Sequence, residues 1–261
     1  MRIRWLGWAG VEIEAQGERM VVDPLQDPAS VFAWLGDPAR AVALPEVLPA
    51  KSGAIAGVLT HLHRDHADAA ALASALSVGA PVYEPVDYGG EGRERLAVVQ
   101  ADHELTAAGL ARQPAAVWTS TRAGVFKLTA LPAVDGTGDP QVSWLIEADG
   151  KRLLHLGDTM WHGWWWRICE RYGSPDVVLA PINGARLTFP HRTPASPLPG
   201  AMEPEQAALA AELLKAERIV PIHYGAYDIP GVYEPVPDPL GRLTAATNRA
   251  TPMDVGETIE I

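Results

Sequence analysis

The sequence predicts an α/β chain in which sheets lie against one another with helices on the outside. Three observations carry that expectation. Its first strands follow closely on each other with glycine punctuation, its later strands alternate with helical segments, and nearly all of them are short alternating or apolar runs bounded by turn residues. A length of 261 residues is at the upper end for one domain, and a hydrophobic content of 48% is ample for a sizeable core. With no repeat of fixed period and no shift in composition, residues 1–261 read as a single domain.

The opening strands are Arg2 to Leu6, Val11 to Ala15 in strict alternation, and Arg19 to Val22 running into Asp23-Pro24. Gly7, Gly10 and Gly17 separate them, so an antiparallel meander fits. Residues 25–52, with four prolines, read as a long loop carrying a short helix around Ser30 to Leu35. A buried strand follows at Ala54 to Leu59, then an Ala/Leu helix from Ala69 to Leu76 and a short strand at Ala80 to Pro85. Gly89 to Gly92 is a turn, since no Lys-Ser/Thr follows it as a phosphate loop requires. Further strands are expected at Leu96 to Val99, Ala115 to Trp118, Val125 to Leu131, Val142 to Glu147 and Lys151 to Leu156, with Asp-Gly turns between several of them. Trp161 to Ile168 begins a helix, and Asp176 to Ala180 is a buried strand. After a proline-rich excursion at 190–204, Glu205 to Glu217 is the clearest helix, with acidic residues in its first turn where the helix dipole favours them. Arg218 to Ile222 is the next strand. The tail is expected to be irregular until an edge strand at Gly256 to Ile261.

Composition excludes several classes. A formal net charge of -11 and the lack of any Lys/Arg-rich run argue against nucleic acid as partner, because that affinity rests on clustered cations. The lone cysteine, Cys169, rules out an internal disulfide and suits a reducing compartment. No signal-like or membrane-spanning run is present, so the expected location is cytoplasmic, with a small-molecule substrate and no membrane partner. The tryptophans at 161 and 164–166 include consecutive positions that one helix face cannot bury, which leaves a substrate, loop or homo-oligomer contact open.

The chemistry concentrates in Thr60-His61-Leu62-His63-Arg64-Asp65-His66, where three histidines and an aspartate fall within six residues between a strand and a helix. On a strand-like approach His61 and His63 point to one side, while the turn carries Asp65 and His66 to a second position, so one segment can serve two metal ions. Asp135, Asp158 and His223 also stand at strand ends, where residues on one sheet edge converge.

These residues resemble the metallo-β-lactamase superfamily, in particular its lactonase-like and phosphodiesterase-like metal-dependent hydrolases. The likeness rests on the His-x-His-x-Asp-His run at 61–66, Asp23 before it, Gly157-Asp158-Thr159, and Pro221-Ile222-His223-Tyr224-Gly225, in the family's order. It implies a four-layer αβ/βα sandwich of two mixed sheets, with the site at one edge. His61 and His63 then match ligands of a first metal, Asp65, His66 and His223 those of a second, and Asp158 the bridging carboxylate. Asp23 matches a carboxylate that fixes a ligand imidazole. One departure stands out: at the family's third histidine this chain has Asp135, in Pro132-Ala133-Val134-Asp135-Gly136. Either Asp135 is the ligand, or His162 or His191 comes from elsewhere, or a single metal binds. Two divalent ions are expected, zinc first, with manganese or iron as alternatives for a set of two histidines and a carboxylate.

The resemblance implies a metal-dependent hydrolase in which a water or hydroxide held by the metals attacks a lactone, ester or phosphoester of a small metabolite. Asp65, His162 and Tyr224 are the candidates for direct catalytic roles. An extra carboxylate at 135 should acidify that water less than a histidine would, moving the pH optimum upward. Two other readings stay open: a metal-binding protein without turnover, and oxygen chemistry at iron. His103 reads as a solvated turn residue and His155 as core or as support behind the site.

Overall fold

The computed structural model describes residues 1–33 and 43–261. Its opening meander is β1 (Arg2–Gly7), β2 (Gly10–Ala15) and β3 (Glu18–Val22), followed by helix α1 (Pro28–Phe32), β4 (Ala56–Val58), helix α2 (Ala69–Ala75) and β5 (Pro81–Pro85). Helix α3 (Val99–Ala107) leads into β6 (Ala111–Ala115), β7 (Ser120–Ala123), β8 (Phe126–Pro132), β9 (Val142–Ala148) and β10 (Lys151–His155). The remainder is α4 (Trp165–Tyr172), β11 (Val177–Pro181), β12 (Arg186–Leu187), α5 (Pro204–Leu213), β13 (Arg218–Ile222), β14 (Tyr233–Glu234), α6 (Pro239–Ala246) and β15 (Thr258–Glu260).

These strands form a seven-stranded sheet, ordered β15-β1-β2-β3-β4-β5-β6, and a six-stranded sheet, ordered β13-β11-β10-β9-β8-β7. Both are mixed. The meander is antiparallel and β4, β5 and β6 add in parallel; β7 to β10 are antiparallel and β11 and β13 add in parallel. Pro114 is tolerated in β6 because that strand is an edge.

The strand period of two decides which core each side chain enters. Trp144 and Ile146 of β9 face the first sheet together with Val11, Ile13 and Val58, whereas Leu145 between them faces Trp165 of α4 and Ala207 of α5. On the far side Val21, Leu59 and Val82 meet Leu72 of α2 and Leu105 of α3. The result is four layers, helices outside and two sheets inside. A one-residue slip of β9 would exchange its two cores, and each large side chain so exposed would lose roughly 1.5–3 kcal/mol of burial. The two sheets are tied at the site edge: Val142 N donates to Thr60 O at 2.9 Å, and Trp144 Nε1 donates to Leu59 O at 2.8 Å.

Several expectations need correction. Leu96 to Val99 is not a strand; it leaves a 3-10 turn and enters α3, which also carries exposed His103 out of the turn assigned to it. The strand expected at Ala115 to Trp118 lies earlier, at β6, and Trp118 turns back with its N–H on Ala130 O. The tail holds α6, opened by Asp238 accepting from Gly241 N and by Pro239 in its first turn, which proline-rich composition had concealed. The short helix expected at Ser30 to Leu35 corresponds to α1; its last two residues lie outside the described ones.

Candidate metal centre

The segment from His61 to His66 runs between β4 and α2, and its path follows from local hydrogen bonds. His66 N and Ala67 N both donate to His63 O, at 3.0 and 2.9 Å, so the chain turns sharply after His63 and sends Asp65 and His66 away from it. Asp68 then caps α2 by accepting from Ala70 N and Ala71 N. Asp135 follows β8, Asp158 follows β10 and His223 follows β13. Gly157 is needed at its position: φ is +68°, and a Cβ would stand 2.8 Å from Gln141 Nε2 and 3.0 Å from Thr60 Cβ.

Two groups result. Ligand atoms of His61, His63, Asp135 and Asp158 lie within 4.8 Å of one another, as do those of Asp65, His66 and His223. Asp158 spans them, with Oδ1 at 3.6 Å from His61 Nε2 and Oδ2 at 4.0 Å from His223 Nε2. In the second group Asp65 Oδ2 stands 3.5 Å from His66 Nε2 and 3.4 Å from His223 Nε2. Nε2 of His61, His66 and His223 and Oδ1 of Asp158 are buried without hydrogen-bond partners. Unpartnered buried polar atoms are costly unless something fills the space they face.

The imidazoles are held from behind. His66 Nδ1 lies 2.8 Å from Asp23 Oδ2, and His61 Nδ1 lies 3.1 Å from Thr60 Oγ1, whose hydroxyl donates to the same Asp23 oxygen at 2.5 Å. Asp23 thus fixes one ring directly and the other through Thr60, placing the N–H on Nδ1 and leaving both Nε2 atoms free. Asn183 Nδ2 lies 2.9 Å from His223 Nδ1 and donates to the Tyr233 hydroxyl at 2.6 Å, so this amide holds the His223 ring from behind. Asp135 Oδ1 accepts from Thr137 N, Thr137 Oγ1 and Asp139 N, which leaves Oδ2 facing His63 Nδ1 at 3.9 Å. Trp8 Nε1 donates to Asp65 at 2.9 Å. Trp8, Asp23 and His223 all adopt positive φ, a conformation costing of order 1–3 kcal/mol for each non-glycine residue and kept here where the site needs those directions.

Electrostatics ask for cations. Burial lowers His63, but Asp135, Asp139 and Asp158 outweigh it and hold the ring at about 10. Burial likewise lowers His66, and Asp65 and Asp23 override it to give about 9. The carboxylates around His63 and His66 thus favour positive charge at both positions. Burial, reinforced by His66 and His63, drives His61 well below its usual value, while burial lifts Asp158 against the pull of His66.

The structure does not bring all the sequence candidates together. His162 is buried on Trp165, ring centroids 3.7 Å apart, and is absent from the cleft lining; Tyr224 stacks on Trp5 at 6.1 Å, also outside it. Neither lines the cleft: the His162 ring is taken up by Trp165, and Tyr224 leaves the strand end toward Trp5, away from its neighbour His223. His191 lines the cleft but joins neither ligand group. His155 stands behind, its Nε2 2.9 Å from Ala9 O and its Nδ1 accepting from Gly157 N. Sequence reasoning missed Thr60, Asp139, Asn183, Tyr233 and Trp8. Asn183 had a usable signal, since it follows β11 at the same strand-end position as the other site residues.

Residues 18–224 match the family model described as a β-lactamase superfamily domain. A UPF0173 metal-dependent hydrolase of Thermococcus onnurineus is 31% identical over 237 residues, covering 87% of this chain and 86% of that protein. The solved structure of Igni18, a metallo hydrolase of Ignicoccus hospitalis, aligns with a TM-score of 0.65 at 22% identity, over 99% of this chain and 97% of the other. That of an isothiocyanate hydrolase from Delia radicum gut bacteria aligns with a TM-score of 0.69 at 16% identity, over 100% and 99%.

Proposed function

Because this chain belongs to the β-lactamase superfamily, we propose that it is a metal-dependent hydrolase acting on a lactone, ester or phosphoester of a small metabolite. The main support is the set of unpartnered Nε2 atoms on His61, His66 and His223, converging with Asp158 Oδ1 on one cleft edge. His61, His63 and Asp135 would hold one divalent ion and Asp65, His66 and His223 a second, with Asp158 shared between them. This donor set suits zinc first and tolerates manganese or iron. Bound there, such ions would supply Lewis acidity toward a carbonyl or phosphoryl oxygen and toward water.

The chain's own residues set the rest of the chemistry. Asp23, Thr60, Asn183 and Asp139 fix the orientation of the imidazoles, so the ligand atoms need little reorganisation on metal uptake. Asp65 and Asp158 line a cleft of about 310 Å³ and offer carboxylate oxygens to the proton that the attacking water gives up. Val31 and Phe32 of α1 wall one side, and Ala185 and Leu187 wall another, limiting access of bulk water.

The test is hydrolysis of a panel of lactones, carboxylic esters and phosphodiesters by zinc-, manganese- and iron-loaded protein, before and after chelation. Turnover that chelation removes and added metal restores is expected. Undiminished turnover in the chelated protein, or none with any metal on any class, would contradict the proposal.

A further inference from the structure

Trp8 is an unusual residue for its place in the chain. β1 and β2 pair down to Gly7 and Gly10, so Trp8 and Ala9 form a two-residue hairpin loop. Trp8 takes a φ of +50°, where glycine, asparagine or aspartate is the common choice. Loop tips ordinarily lie in water, yet this side chain is turned inward and is only 2% exposed.

There it meets two members of the second ligand group. Trp8 Nε1 donates to Asp65 Oδ2 at 2.9 Å, the same oxygen that stands 3.4 Å from His223 Nε2 and 3.5 Å from His66 Nε2. Apart from the ligand histidines, it is the one hydrogen-bond donor to Asp65 among the described residues. The indole also lies against the His223 imidazole, ring centroids 4.0 Å apart and planes 39° inclined. The backbone adds a third hold, because His223 N donates to Trp8 O at 3.0 Å.

Trp8 is itself pinned. Its carbonyl accepts from Trp5 Nε1 at 3.1 Å as well, and its ring meets Phe32 of the cleft wall edge-on, centroids 5.6 Å apart. A carboxylate with no fixed donor can turn its oxygens away from an ion; a donor locked in the core removes that freedom. Asp23 serves His66 in this way and Asn183 serves His223, whereas Trp8 holds Asp65 and His223 together.

Resting on the assignment of a second ion to Asp65, His66 and His223, we propose that Trp8 is a positioning residue for that ion. Its indole N–H fixes the Asp65 carboxylate, its ring fixes the plane of His223, and the left-handed turn is kept to aim both.

The test titrates zinc into metal-free protein against a chromophoric chelator in two backgrounds. Asp135→Ala keeps the second group whole, and His66→Ala keeps the first. Trp8→Phe retains an aromatic ring but has no N–H. Added to Asp135→Ala it should weaken zinc by about 10- to 100-fold, and added to His66→Ala it should leave the affinity unchanged. A second readout needs no change at Trp8. The magnetic resonance signal of its indole N–H, identified by its contact with Phe32, should shift when Asp135→Ala takes up zinc and stay in place when His66→Ala does.

Equal weakening in both backgrounds, or none in either, would overturn the proposal and leave Trp8 as core packing, as would an indole signal that zinc does not move in Asp135→Ala. Zinc uptake by His66→Ala but none by Asp135→Ala would overturn the second-ion assignment itself, and the proposal with it.

Discussion

Asp139 Oδ2 lies 3.1 Å from Nε2 of His63, while Nδ1 of the same ring faces Asp135. One imidazole is therefore gripped by two carboxylates four positions apart in the β8–β9 turn, and the bond to Asp139 sets which nitrogen is free. Burial would raise Asp139, but its bond to His63 more than offsets this and lowers it, so it stands as a charged acceptor. Asp139→Ala should weaken the first metal by about 10- to 100-fold, the usual cost of losing such a support. Titration calorimetry with zinc reads this directly; equal affinities for both ions in variant and wild type would refute it.

Asp135 places a third carboxylate among the ligand groups, beside Asp65 and Asp158. Asp135→His should let the ions acidify water more strongly, moving the acidic limb of the rate profile downward by about one pH unit, the scale on which one nearby charge acts. Profiles of both proteins with the same metal decide it, and an unchanged or upward-shifted limb in the variant counts against the charge argument.

Gly136 touches the excursion that covers the cleft: a Cβ there would stand 2.3 Å from Gly200 O and 2.4 Å from Gly200 Cα. Both neighbours are backbone, so something must move. Gly136→Ala is expected to destabilise by about 1–3 kcal/mol, as overpacking does, and to displace Asp135 beside it. Urea unfolding checks the first and first-site affinity the second; wild-type values for both would show the contact to be slack.

Burial against Trp165 pulls His162 from its ordinary 6.5 to about 4. The native ring stays neutral where the unfolded chain takes up a proton. Its stability contribution is therefore whole above pH 6.5, is lost as pH falls from 6.5 to about 4, and is flat below; the full loss is about 3 kcal/mol. His162→Asn can still accept the Trp164 N–H that His162 Nδ1 accepts at 3.2 Å. Metal-free variant protein should show a smaller drop in unfolding free energy between about pH 7 and pH 4.5 than the wild type. Equal drops would place the acid sensitivity elsewhere.

Most strands were legible because alternation is written in adjacent residues: Trp144, Leu145 and Ile146 declare two cores in three letters. Where the pattern failed, context decided. Leu96 to Val99 is as apolar as a strand, yet it opens a helix and lends Leu96 to the cleft. The residues of both ligand groups could be named from spacing and resemblance, since each lies in a motif or at a strand end. His162 and Tyr224 lie outside the cleft lining, since sequence proximity to Asp158 and His223 does not say which way a side chain leaves the turn. Asp139 and Asn183 act through contacts spanning 76 and 40 residues, which no local pattern encodes.

Two ligand groups with Asp158 common to both are expected to take up two ions. Elemental analysis of metal-replete protein after gel filtration tests it most directly. About two ions per chain are expected in the wild type, falling toward one in Asp135→Ala and lower still in Asp158→Ala, in line with the two groups. One ion or fewer in the wild type, or two retained in Asp158→Ala, would contradict the account.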